Sequence, residues 1–108
     1  QEKTVLKITS NNIEVQKKVL FTFEKMARQY PVSPANLFRQ LVASGSFQVP
    51  EKLPAEKIHL FYSEYDRLVS CENTKALAKH LNIHAEKHPW AGHDLVLDDP
   101  DFLLSKLL

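Results

Sequence analysis

The chain of 108 residues has one cysteine, Cys71, so no disulfide can form within it. A single thiol suits a reducing compartment, and the expected location is the cytoplasm. Glycine is nearly as scarce, with only Gly45 and Gly92. That excludes a Gly-rich phosphate loop and a G-x-S-x-G nucleophile elbow within these residues. No apolar run approaches the roughly 20 residues needed to span a bilayer, so no membrane partner is expected. No charge dominates, because 14 Lys and Arg stand against 13 Asp and Glu for a formal net charge of +1. Nothing in that balance attracts nucleic acid or an anionic lipid surface. The first residues, Gln1-Glu2-Lys3-Thr4, have neither an initiator Met nor a signal-peptide pattern. A piece of a longer chain is the expectation.

What is present is ordinary for a globular domain: 44% hydrophobic and 25% charged residues. The first half reads as helices. Val5, Leu6 and Ile8 leave a short helix and a strand both open. Asn11 with Glu14 three residues later resembles a capping box. Ile13, Leu20, Phe23, Ala27 and Tyr30 then recur at helical spacing, and Pro31 closes that helix. Ser33 suits an N-cap and Pro34 the first helical position. Leu37, Phe38, Leu41 and Val42 form the next apolar face, and Gly45 suits a left-handed residue past its end. Residues 46–57, with Pro50 and Pro54, read as a connector. The boundary is placed there, giving segments 1–50 and 51–108.

The second half changes character. Ile58 to Tyr62 is a short apolar, aromatic run that predicts a buried strand. Ser63 to Asp66 reads as a turn. Ser70 caps a predicted helix over 71–81, with a stripe of Thr74, Leu77, Ala78 and Leu81, and Asn82 suits its left-handed end. Residues 83–88 predict a second strand. Asp99 and Pro100 open a last helix carrying Phe102, Leu103, Leu104 and Leu107. Strand, helix, strand, helix implies a parallel crossover and an α/β architecture.

Two residues in this half stand out. Asp66 follows the first strand and His93 follows the second, the positions where parallel sheets gather functional groups. A carboxylate bonded to one imidazole nitrogen fixes the tautomer and leaves the other nitrogen free to take a proton. Singly, an aspartate after a strand is a turn residue and a histidine beside glycine is a solvated loop residue. Only as a pair do they suggest chemistry.

The segment Leu60-Phe61-Tyr62-Ser63-Glu64-Tyr65-Asp66-Arg67-Leu68-Val69 resembles the acid segment of the α/β-hydrolase family. His88-Pro89-Trp90-Ala91-Gly92-His93-Asp94-Leu95 resembles its histidine segment. The order, acid then histidine, is also the family's. The resemblance implies the C-terminal portion of an α/β-hydrolase fold, with Asp66 as the acid and His93 as the general base of a Ser-Asp-His triad. It implies that the helical segment 1–50 belongs to a cap over the active site. It implies an esterase-like parent that hydrolyses a small-molecule ester or similar acyl bond, with no cofactor or metal. Ser63 departs from the glycine the family commonly has there. The nucleophile elbow and oxyanion-hole loops, which the family carries upstream, are absent, so this chain alone is expected to be inactive. Its expected partners are the N-terminal half of its own protein and, for the isolated piece, a second copy. The alternatives are a non-catalytic binding protein on the same scaffold and a small structural interaction domain.

Other residues are given plainer roles. His80, His84, His88 and His93 suggest zinc, but Pro89 and the second strand break the helix that would align them. Cys71 is read as a small residue starting a helix. Asp94 either supports His93 or caps the loop. Asp98, Asp99 and Asp101 are assigned to helix capping and the helix dipole. Trp90 is read as packing under its loop.

Overall fold

A computed structural model describes residues 1–108. It is a mixed α/β arrangement of six α-helices and a two-stranded parallel sheet. The first helix, α1, covers Glu2–Thr9, which settles the open reading of Val5, Leu6 and Ile8 as helix. Leu6 is its one buried side chain and faces α2, Ile13–Gln29. The cap of α2 is Asn12, whose side chain accepts from the Val15 amide at 3.2 Å. The expected capping box of Asn11 and Glu14 does not form: the cap lies one residue later, where Val15 can return no bond, and the Asn11 side chain is engaged elsewhere. Tyr30 ends α2 before Pro31, as expected.

Helix α3, Pro34–Ser46, starts with Ser33 as N-cap and Pro34 in its first turn. Gly45 lies inside this helix rather than past it. The chain leaves the helix at Phe47 in an extended conformation, so no left-handed residue is needed. No residue of α2 or α3 is buried. The Cα radius of gyration is 15.9 Å, against about 13 Å for a compact domain of this length. The protruding helices account for that excess.

A single 3₁₀ turn, Ala55–Lys57, precedes strand β1, Leu60–Ser63. Both strands begin two residues later than their apolar runs suggest, since β2 spans Ala85–His88. They pair in parallel with Leu60 opposite Ala85 and Ser63 opposite His88. Helix α4, Cys71–Leu81, makes the crossover. Ser70 caps its start, and Asn82 ends it at φ 53° and ψ 46°, the left-handed conformation that asparagine tolerates. A four-residue helix not foreseen from the sequence, α5 (Leu95–Asp98), leads into α6, Pro100–Leu107.

Successive strand side chains face opposite sides of a sheet. Tyr62 meets Lys75 of α4, with Nζ 5.6 Å from the ring centroid. Its neighbour Phe61 meets Phe102 of α6 edge-on at 6.1 Å. The two helices therefore cover opposite faces of the sheet. The buried set is unusually polar. Leu6, Ala78 and Ala91 are the buried apolar residues, while Ser10, Ser63, His88 and Asp98 are buried polar ones. Buried polar atoms cost free energy unless bonded, and no buried side-chain nitrogen or oxygen lacks a partner here. No helix is long and apolar enough to cross a membrane.

Candidate functional site

Asp66 sits in the turn that leaves β1. Its amide bonds to the Ser63 carbonyl at 3.3 Å. Its Oδ1 accepts from the amides of Leu68 at 2.9 Å and Val69 at 3.0 Å. That is the ordinary work of a turn aspartate. It also locks the carboxylate, so that Oδ2 is aimed across the strand ends. There it accepts from His93 Nδ1 at 2.8 Å.

The structure thus brings together the two residues singled out from the sequence. A carboxylate only accepts, so Nδ1 carries the proton and the lone pair of the neutral ring lies on Nε2. The Asp66 side chain is 15% exposed and that of His93 42%. Partial burial pushes the Asp66 carboxyl up. The Val69 amide, the His93 ring and the Leu68 amide together outweigh it, and the carboxyl lies below its ordinary value.

A cleft of about 130 Å³ opens beside the pair, between β1, the start of α4 and the His93 loop. Ser63, Ser70, Cys71 and Thr74 also line it. Ser63 Oγ accepts from the Tyr65 amide and Ser70 Oγ caps α4, and neither is hydrogen-bonded to His93, whose ring is bonded to Asp66 alone. Cys71 starts α4, as read from the sequence, with its thiol 3.8 Å from Glu72 Oε1.

The loop that presents His93 is held at nearly every step. His88, 1% exposed, sits at its base. Nδ1 of His88 accepts the amides of Trp90 at 3.2 Å and Ala91 at 2.9 Å. That leaves Nε2 as the protonated nitrogen, donating to Asp99 Oδ2 at 2.9 Å. Asp99 accepts from the Phe102 amide as well, capping α6. The His88 bond first, and then the Phe102 amide, hold its carboxyl below the ordinary value. Trp90 packs edge-on against His88 with centroids 5.0 Å apart, yet remains 41% exposed. Asp94 caps α5 through the Leu97 amide at 3.2 Å.

Asp98 departs from its expected role. It caps no helix. It is 3% exposed and is the hub that joins the His93 loop to the α1–α2 junction. Its Oδ2 accepts the amides of Gly92 and Asn11, each at 2.7 Å. Its Oδ1 accepts from the Ser10 hydroxyl and, at 3.3 Å, from the Asn12 amide. Ser10, Asn11 and Asp98 were not foreseen as a cluster. The one hint is Asp98-Asp99-Pro100, where capping needs a single aspartate and the other is left without a task. Gly92 is required for a further reason. A Cβ there would lie 2.6 Å from the Thr9 carbonyl oxygen, and that same oxygen accepts the Asp94 amide at 2.7 Å.

His80, His84, His88 and His93 do not converge, and no group of three or more His, Cys, Asp or Glu side chains is placed to hold a metal. No protein-family model matches the chain, and neither a curated protein nor a solved structure shows significant similarity to it.

Proposed function

We propose that this chain is the acid-and-histidine part of an α/β-hydrolase that cleaves a small-molecule ester or similar acyl bond. Asp66 is the acid, His93 is the general base, and the serine nucleophile lies outside these 108 residues. One observation carries the reading: the 2.8 Å bond from His93 Nδ1 to Asp66 Oδ2 at the carboxyl ends of two adjacent parallel strands. In that arrangement Nε2 takes the proton of the attacking hydroxyl and returns it to the leaving alcohol. Asp66 holds the tautomer and stabilises the imidazolium, and the covalent acyl-enzyme is then released by water. The open cleft beside the pair gives the acyl group a place to sit. The single thiol fits a cytoplasmic setting.

The test is hydrolysis of a chromogenic ester by a protein that joins this chain to its serine-bearing half. His93→Ala should lower turnover by about 10⁶ and Asp66→Asn by about 10⁴, the losses that follow removal of a triad's base or acid. The 108-residue chain alone should show no turnover above background. Near-normal turnover by both variants would remove the triad assignment and favour a binding role.

A further inference from the structure

The α1–α2 junction reaches both loops that carry the pair. Asn11 Nδ2 donates to the Tyr65 carbonyl at 3.1 Å and to the Trp90 carbonyl at 2.9 Å. Tyr65 precedes Asp66, and Trp90 lies three residues before His93. The amide orientation follows from these partners, since only the NH₂ end can face two carbonyls. Around it, the same junction is tied again to each loop. Arg67 Nη2 donates to the Ser10 carbonyl at 2.9 Å on the acid side. On the histidine side, the Asn11 and Gly92 amides share Asp98 Oδ2.

We infer that Asn11 is a positioning residue: one side-chain amide spans the acid and histidine loops and holds Asp66 and His93 at hydrogen-bonding distance. No other side chain in the chain donates to both loops. The α1–α2 junction therefore takes part in the geometry of the pair. The catalytic meaning rests on the proposed hydrolase chemistry, whereas the pairing itself can be measured without substrate.

The neighbouring asparagine supplies the control. Asn12 caps α2 and bonds the Asp98 carbonyl at 3.2 Å, but its side chain makes no hydrogen bond to Tyr65 or Trp90. Ring ¹⁵N shifts of His93 in the 108-residue chain report which nitrogen carries the proton, a choice fixed here by the Asp66 carboxylate that accepts from Nδ1. The parent and Asn12→Ala should both show the Nδ1–H tautomer, with Asn12→Ala melting at a lower temperature. Asn11→Ala should lose that tautomer and move to the mixture of an unpaired imidazole. Asn11→Asp keeps the side-chain shape, removes both donors and should shift in the same way, so it serves if the alanine variant does not fold. Retention of the Nδ1–H tautomer in either folded Asn11 variant overturns the inference. So does an equal loss in Asn12→Ala, or failure of both Asn11 variants to fold. If the tautomer shifts as expected but the joined protein shows no esterase activity, the positioning role stands and the hydrolase reading falls.

Discussion

Replacing Asp98 tests the hydrogen-bonded hub most directly, and the cost can be worked from its four donors. In Asp98→Asn one oxygen remains. It should face Gly92 and Asn11, because both are rigid amides that cannot accept from an NH₂ group. The NH₂ then faces Ser10, whose hydroxyl can rotate and accept. Two charge-assisted bonds become neutral at about 1 kcal/mol each, and the Asn12 amide loses one of its two acceptors and keeps Ser10 Oγ, for about 2 to 3 kcal/mol in total. In Asp98→Ala the buried Gly92 N–H and Ser10 O–H lose their acceptor, while the Asn11 amide can turn to water and the Asn12 amide keeps Ser10 Oγ. At about 1 to 3 kcal/mol for each buried orphan the loss is about 4 kcal/mol, close to the whole stability of a marginal domain. Urea unfolding followed by circular dichroism gives both numbers by linear extrapolation. A Ser10→Ala change should cost less in the Asp98→Ala background than in the parent, by about 1 kcal/mol of coupling. If Asp98→Asn unfolds within about 0.5 kcal/mol of the parent and Asp98→Ala within about 1 kcal/mol, the polar hub does not hold this fold.

Gly92→Ala puts a methyl against the Thr9 backbone, so the loop must retreat and lose the Asp94–Thr9 bond; the same melts should show a loss of about 3 kcal/mol. Asp66 and Asp99 both titrate below the ordinary 3.8, so their contribution is complete above that value and disappears as pH falls through their lowered values. Urea midpoints taken from about pH 6 down to about pH 2 should fall most steeply below 3.8, and Asp99→Ala should flatten that fall. Helix α3 exposes Phe38 at 67% and Leu41 at 63% with Leu37 and Val42 beside them, so the chain should self-associate as its concentration rises, and Phe38→Glu should reverse this in light scattering. A strict monomer at all concentrations would show that this face needs no cover.

What could be read in the sequence was local. The start and stop of α4 follow from Ser70 and Asn82, each of which acts on amides and carbonyls within a few residues. Strand boundaries were less legible, because pairing between Leu60 and Ala85 decides where β1 and β2 begin, not the apolar run alone. Asn11 and Asn12 are equivalent as caps on paper. The choice is made by carbonyls at Tyr65 and Trp90, far along the chain. Asp98 was hidden for the same reason: most of its donors come from residues 10–12, at the other end of the sequence. The Asp66–His93 pair was legible because each follows its own strand, and two parallel neighbours must end on the same side. Gly45 misled because glycine permits a left-handed turn without requiring one.

The anchoring of the His93 loop bears on how this chain can change in length. From residue 90 to 94, the amides of Trp90, Ala91, Gly92 and Asp94 are each bonded to a defined acceptor. One inserted residue there would advance the chain by up to about 3.5 Å, more than the whole distance from His93 to Asp66. The connector at 47–54 has no such anchors, and loops of that kind absorb extra residues at small entropic cost. Length variation among relatives of this protein should therefore gather between α3 and β1, while the count of residues from His88 to Asp98 stays constant.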